Sequence, residues 1–141
     1  MADAVEAVVG SLEIIDSRIA EWRITLPDTI ADNASYGAVI VGGFRVPLST
    51  IEVTTLPVSL AVNGEVVARA TGAAVMGSPL RAVAWLANRL GELDVSLQPG
   101  RVVLPGSVCP AAPVADGDTV TAEFGDLGVV EVSFSASEAG K

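Results

Sequence analysis

"TTLPVSLAVNGEVVARATG", residues 54 to 72, decides the fold. Two strand-like runs flank Asn63-Gly64. That dipeptide favours a two-residue type I′ turn, because both turn positions take positive φ. The stretch predicts an antiparallel hairpin over residues 55 to 71. Directly after it, "GSPLRAVAWLANRLGEL" (77–93) changes period. Ser78 suits an N-cap and Pro79 suits the first helical position. Leu80, Val83, Ala84, Ala87 and Leu90 fall on one face. A helix over 79–90 follows, with Gly91 as its stop.

Downstream, "RVVLPGSVCPAAPV" (101–114) reads as a strand running into a proline-rich loop. "DTVTAEF" and "GVVEVSF" form a second hairpin around Gly125 to Gly128, after an Asp116-Gly117 turn. The tail from Ser135 is small and polar and reads as frayed. Upstream, Asp3 and Glu6 have the form of a capping box, which predicts a short helix over residues 4 to 11. Glu13 to Ile19 reads as a strand, "PDTIADNASYG" (27–37) as a short helix or turns, and "GAVIVGG" (37–43) as a buried strand. "PLSTI" (47–51) is a connection. About seven strands and one good helix give a single α+β domain over residues 1–141, mainly β.

Composition narrows the function classes. Half of the 141 residues are hydrophobic, but only 4% are aromatic. Such a chain can bury roughly 70% of its unfolded surface. Seventeen acidic against eight basic residues leave a net charge of −9, which repels phosphate backbones and argues against a nucleic-acid partner. No apolar run reaches the ~20 residues of a membrane span. The first ten residues lack a basic region, which points to a cytoplasmic protein. There is no histidine, so Ser-His-Asp and Cys-His catalysis and histidine-ligated metals are excluded within this sequence. The single Cys109 has no partner for an internal disulfide and reads as a small buried or half-buried thiol. Chemistry must come from carboxylates, hydroxyls, Arg, Tyr36, Cys109 or the backbone.

Three stretches together resemble one family: "LEIIDSRIAEW" (12–22) with "DTIADNAS" (28–35), "NGEVVARATGAAVMGSPLRAVAWLANRL" (63–90), and "LQPGRVVLPGS" (97–107) with "DGDTVTAEFGDLGVVEVSF" (116–134). They are similar to the 2-keto-4-pentenoate hydratase and 4-oxalocrotonate decarboxylase group of the fumarylacetoacetate hydrolase superfamily. The resemblance runs from about Val9 to Phe134. It implies a mixed, rolled β-sheet with the helix from Pro79 packed on it, and a chain that lacks the family's N-terminal half.

The resemblance also implies a chemistry. Family enzymes hold Mg²⁺ or Mn²⁺ with three carboxylates, and the metal acts as a Lewis acid on a 2-oxo or enol acid. Glu13 matches the third ligand. The first two form a Glu-x-Glu pair, which this sequence lacks; Glu92-x-Asp94 and Asp116-x-Asp118 read as solvated surface. The expected Mg²⁺ or Mn²⁺ binding of this chain alone is therefore weak or absent. Arg23 lies where the family commonly has a lysine; it suits bidentate binding of a carboxylate but shuttles protons poorly. Asp28, Asn33 and Ser35 map onto the substrate cleft, with Tyr36 where a small residue is usual, and Ser107 maps onto a loop facing it. The implied assignment is Arg23, Asp28 and Ser35 as catalytic, Asn33, Tyr36 and Ser107 as substrate-binding, and Glu13 as metal-binding.

Other roles stand beside these. Asp28, Asn33 and Ser35 suit turn and cap hydrogen bonds. Glu13 could pair with Arg18 or Arg23, Arg18 could tie its strand to neighbouring carbonyls, and Trp22 and Trp85 suit a core or an interface. The functional expectation is a hydratase- or decarboxylase-like lyase for a small 2-oxo or 2-hydroxydienoate acid. A metal-independent cyclase or isomerase and a non-catalytic partner subunit are the alternatives. A homodimer or a hetero-partner is expected in each case, to cover apolar surface.

Overall fold

The computed structural model describes residues 2 to 136. Its strands are β1 (Ala7–Ile15), β2 (Tyr36–Pro47), β3 (Pro57–Val62), β4 (Glu65–Thr71), β5 (Thr119–Glu123) and β6 (Val129–Ser133). Its α-helices are the short α1 (Leu26–Ala31) and the three-turn α2 (Pro79–Gly91). The expectation of a mainly β, α+β fold with one main helix holds.

The hairpin from β3 to β4 turns at Asn63 and Gly64, whose φ values of 52° and 82° are those a type I′ turn requires. β3 pairs β5 on its other side and β5 pairs β6, giving a four-stranded sheet in the order β4-β3-β5-β6. β1 and β2 form a separate two-stranded sheet. Every pairing among the described residues is antiparallel, in two sheets where one mixed sheet was expected.

The two sheets meet where glycine permits close approach. A Cβ on Gly10 of β1 would lie 2.7 Å from the Phe124 ring. One on Gly42 of β2 would lie 2.9 Å from both Gly10 O and Val130 Cγ2. The small core, with Val53, Val58, Val120, Ala122, Leu127 and Val130, sits beside this junction.

Several expectations are corrected. Residues 4 to 11 are not a helix: a three-residue 3₁₀ turn (Ala2–Ala4) precedes β1, and Ala7, Val8 and Val9 pair with Pro47, Val46 and Arg45. Long-range pairing of β-branched residues overrides the local capping pattern there. The strand expected to run to Ile19 stops at Ile15. Residues 101–104 form no strand; Pro99, Pro105, Pro110 and Pro113 punctuate the segment, and prolines withhold ladder donors. Among the described residues six strands form, where about seven were expected. The Ser78 side chain makes no cap bond and instead accepts from Thr54 Oγ1 at 3.3 Å. On α2, Leu80, Val83 and Ala87 face the interior as expected, while Ala82 is the buried residue. Trp22 and Trp85 are 49% and 57% exposed, outside the core. The tail expected to fray lies, beyond Ala136, outside the described residues.

Candidate functional site

Between β1, α2 and the irregular segment 95–114 lies an open, mainly apolar cavity of about 1500 Å³. Eight of the nine β1 residues line it, Glu13 among them. Opposite stand Leu80, Val83 and Ala87 of α2, with Ser107 and Cys109 from the loop. Glu13, paired with Val39 across the ladder, is exposed and makes no ion pair among the described residues. Ser107 Oγ donates to the Cys109 carbonyl, and burial pushes the Cys109 thiol up, away from the reactive thiolate.

The remaining candidates lie in the segment that links β1 to β2. Arg23, Asp28, Asn33, Ser35 and Tyr36 do not line the cavity. Ser35 is 2% exposed, and its hydroxyl donates to Asp32 Oδ2 at 3.0 Å. Asp32, itself 9% exposed, also accepts from Ser17 Oγ and from Arg18 N, each at 3.3 Å, and from Arg18 Nε. The Arg18 guanidinium donates further to the Asp32 and Tyr36 carbonyls, the latter at 2.9 Å. One arginine thus closes the corner between β1 and β2, tying backbone carbonyls as the sequence suggested. Burial pushes the Asp32 carboxyl up, but hydrogen bonds from Arg18 and Ser35 outweigh it and hold it below the usual range.

Three consecutive residues after Asp32 are left-handed: Asn33, Ala34 and Ser35, with φ of 51°, 58° and 56°. Each non-glycine residue there costs roughly 1–2 kcal/mol. The Asp32 bonds and the 2.8 Å bond from Asp16 N to Ser35 O hold this conformation in place. Asp28 accepts from Thr25 N at 2.8 Å and Thr25 Oγ1 at 2.6 Å, which caps α1 and lowers its pKa. Arg23 is exposed, 3.7 Å from Glu21. Neither Arg18 nor Arg23 pairs with Glu13.

Asp32 is the residue that reading the sequence missed. Its signal was faint: an acid directly before Asn33, within reach of the Ser17-Arg18 pair once the chain reverses.

A hard divalent cation takes about six oxygen ligands, usually with several carboxylates. Among the described residues no three of His, Cys, Asp and Glu are grouped to hold one. Asp116 and Asp118 are engaged in turn hydrogen bonds, with Asp118 accepting from Asn63 Nδ2 at 2.8 Å. Glu92 pairs with Arg89. The residues present offer Glu13 and do not make a complete metal site.

The sequence matches the fumarylacetoacetate hydrolase C-terminal family over residues 1–135. The chain belongs to the fumarylacetoacetate hydrolase family. Among its relatives in this family is the 2-keto-4-pentenoate hydratase of Burkholderia vietnamiensis, 41% identical over 137 residues, covering 95% of this chain and 52% of that protein. The 2-hydroxyhexa-2,4-dienoate hydratase of Comamonas testosteroni is 36% identical, with 94% of this chain and 50% of that protein covered. In solved structures, the chain is similar to the 4-oxalocrotonate decarboxylase of Pseudomonas putida complexed with magnesium and adipate. That match has a TM-score of 0.90 and 39% identity, and covers 93% of this chain and 50% of the other. The same decarboxylase with calcium and acetate matches with a TM-score of 0.86. The chain spans about half the length of these relatives.

Proposed function

We propose that this chain forms half of the catalytic unit of a hydratase- or decarboxylase-like lyase acting on a 2-oxo or 2-hydroxydienoate acid of the 2-hydroxypenta-2,4-dienoate type. The observation that carries the reading is the placement of Glu13 on a cavity wall, in a fold that superposes at a TM-score of 0.90 on a decarboxylase complexed with magnesium. Glu13 contributes one carboxylate toward a divalent cation such as Mg²⁺ or Mn²⁺. The remaining ligands come from polypeptide outside this sequence, and binding by this chain alone is weak. Ser107 lines the same cavity and is suited to hydrogen-bond a substrate oxygen. Arg23, Asp28, Asn33, Ser35 and Tyr36 act at the β1 corner. There Arg23 offers an exposed guanidinium to a substrate carboxylate, while Ser35 holds the turn that carries Asn33.

Among the described residues no helix is long and apolar enough to cross a membrane. We place the protein in the cytoplasm, acting as an oligomer or with a partner. A metal-independent cyclase or isomerase is the second reading, favoured by the single carboxylate that Glu13 offers and by Arg23 in the lysine position. Turnover of 2-hydroxypenta-2,4-dienoate, measured after adding the unmatched half of the Burkholderia vietnamiensis hydratase, tests the first reading. EDTA-sensitive hydration supports it; EDTA-resistant turnover of the isolated chain supports the second.

A further inference from the structure

Asn63 does more than turn the β3–β4 hairpin. Its backbone N–H donates to the Thr119 carbonyl at 2.8 Å, one step beyond the last β3–β5 pair, Val62 with Val120. Its side chain completes that step: Oδ1 accepts from Thr119 N at 2.9 Å, and Nδ2 donates to Asp118 Oδ1 at 2.8 Å. The other Asp118 oxygen accepts from Ala115 N at 2.7 Å. These bonds, that of Asn63 first, hold the Asp118 carboxyl below the usual range, so it is ionised at neutral pH. One amide thus hooks the tip of the hairpin to the start of β5.

The same asparagine carries a latent reaction. Gly64 follows it, exposed and with φ of 82°, and a Cβ there would meet nothing within 4 Å. Glycine has no side chain to obstruct attack by its own backbone nitrogen. Asn33 and Asn88 precede Ala34 and Arg89, whose side chains do obstruct it. Gly64 N, once hydroxide has taken its proton, can bond to Asn63 Cγ. The Cγ–Nδ2 bond then breaks, and Nδ2 takes a proton from water and leaves as ammonia. Water opens the resulting cyclic imide at either carbonyl, giving aspartate or isoaspartate at position 63.

We propose that Asn63 is a deamidation site restrained by Asp118, and that its conversion unhooks the β3–β4 hairpin from β5. In the hooked state two side-chain bonds hold the Asn63 amide against β5, and closing the ring on Gly64 N means breaking them. The ionised Asp118 also engages Nδ2 without a proton to give, whereas departure as ammonia requires one. After reaction a carboxylate faces the Asp118 carboxylate where a donor stood, which sets two like charges in one hook. The isoaspartate form also lengthens the backbone inside the turn. This inference is independent of the lyase reading.

The test incubates the full chain in mildly alkaline buffer, folded and in urea, and follows deamidation by mass. Cleavage after arginine places Asn33, Asn63 and Asn88 in separate peptides. In urea, deamidation should concentrate at Asn63. In the folded chain it should slow there by roughly tenfold or more, the factor that one hydrogen bond to a charged group supplies. Asp118→Ala should recover most of that factor while folded. Leu127→Ala loosens the core at the other end of β5 and should recover less, which controls for general opening. If Asp118→Ala does not fold, Asp118→Ser, whose hydroxyl suits the same turn, takes its place. Asn63→Asp should melt below the natural chain at neutral pH. Equal rates folded and in urea, a reaction no faster without Asp118, or rates that follow stability alone across the variants would overturn the proposal. So would Asn63→Asp melting with the natural chain.

Discussion

Arg18 and Asp32 show how two side chains can fix a corner that local preference would not form. Three left-handed non-glycine residues in succession are unfavourable, and the Asp32 carboxylate offsets that by accepting from Arg18, Ser17 and Ser35. Its lowered pKa makes the effect pH-dependent, with a definite sign. A carboxylate whose folded pKa lies below its unfolded value stabilises the fold above the unfolded pKa. That contribution is lost as pH falls through the folded pKa. Stability from Asp32 is therefore complete above its ordinary 3.8 and declines below it. Asp32→Asn should lower the melting temperature at pH 7 and flatten the acid limb of the stability curve below about pH 4. Melting scans from pH 2 to 7 check this, and an unchanged acid limb would remove Asp32 from the account. Leu127, 4% exposed, belongs to the core, so Leu127→Ala should cost about 2–5 kcal/mol in urea unfolding. Leu90→Ala should cost less, because Leu90 is only half-buried on α2.

The elements legible in the sequence were those whose signals are local. Asn63-Gly64 specifies its own turn, Pro79 and Gly91 bracket α2, and Gly125 to Gly128 join β5 to β6. β1 was misread because its identity is not local: Ala7, Val8 and Val9 become strand by pairing with residues near Pro47, some forty positions away. The candidate site divided for the same reason. Glu13 and Ser107 both line the cavity, whereas Arg23, Asp28 and Ser35 contact sequence neighbours: Glu21, Thr25 and Asp32 in turn. Between the two sheets, Gly42 is a site where a methyl group has no room. Gly42→Ala should destabilise by about 1–3 kcal/mol, the usual range for over-packing. Chemical denaturation measures this, and a neutral substitution would mean that the sheets do not meet at Gly42.

At the scale of the whole molecule, the open cavity and the lone Glu13 on its wall belong together. On the proposed reading, the chain carries one side of a site. One carboxylate cannot hold a hard cation tightly, so Mn²⁺ titrated into this chain should bind only weakly, with a dissociation constant above about 100 µM. The central claim is that Glu13 becomes a metal ligand once the other side is supplied. Calorimetric titration of Mn²⁺ into the chain paired with the unmatched half of the hydratase tests it most directly. The account predicts micromolar, one-to-one binding that disappears in Glu13→Ala while the paired assembly stays intact. Equal Mn²⁺ affinity with and without Glu13, or tight binding to the chain alone, would contradict it.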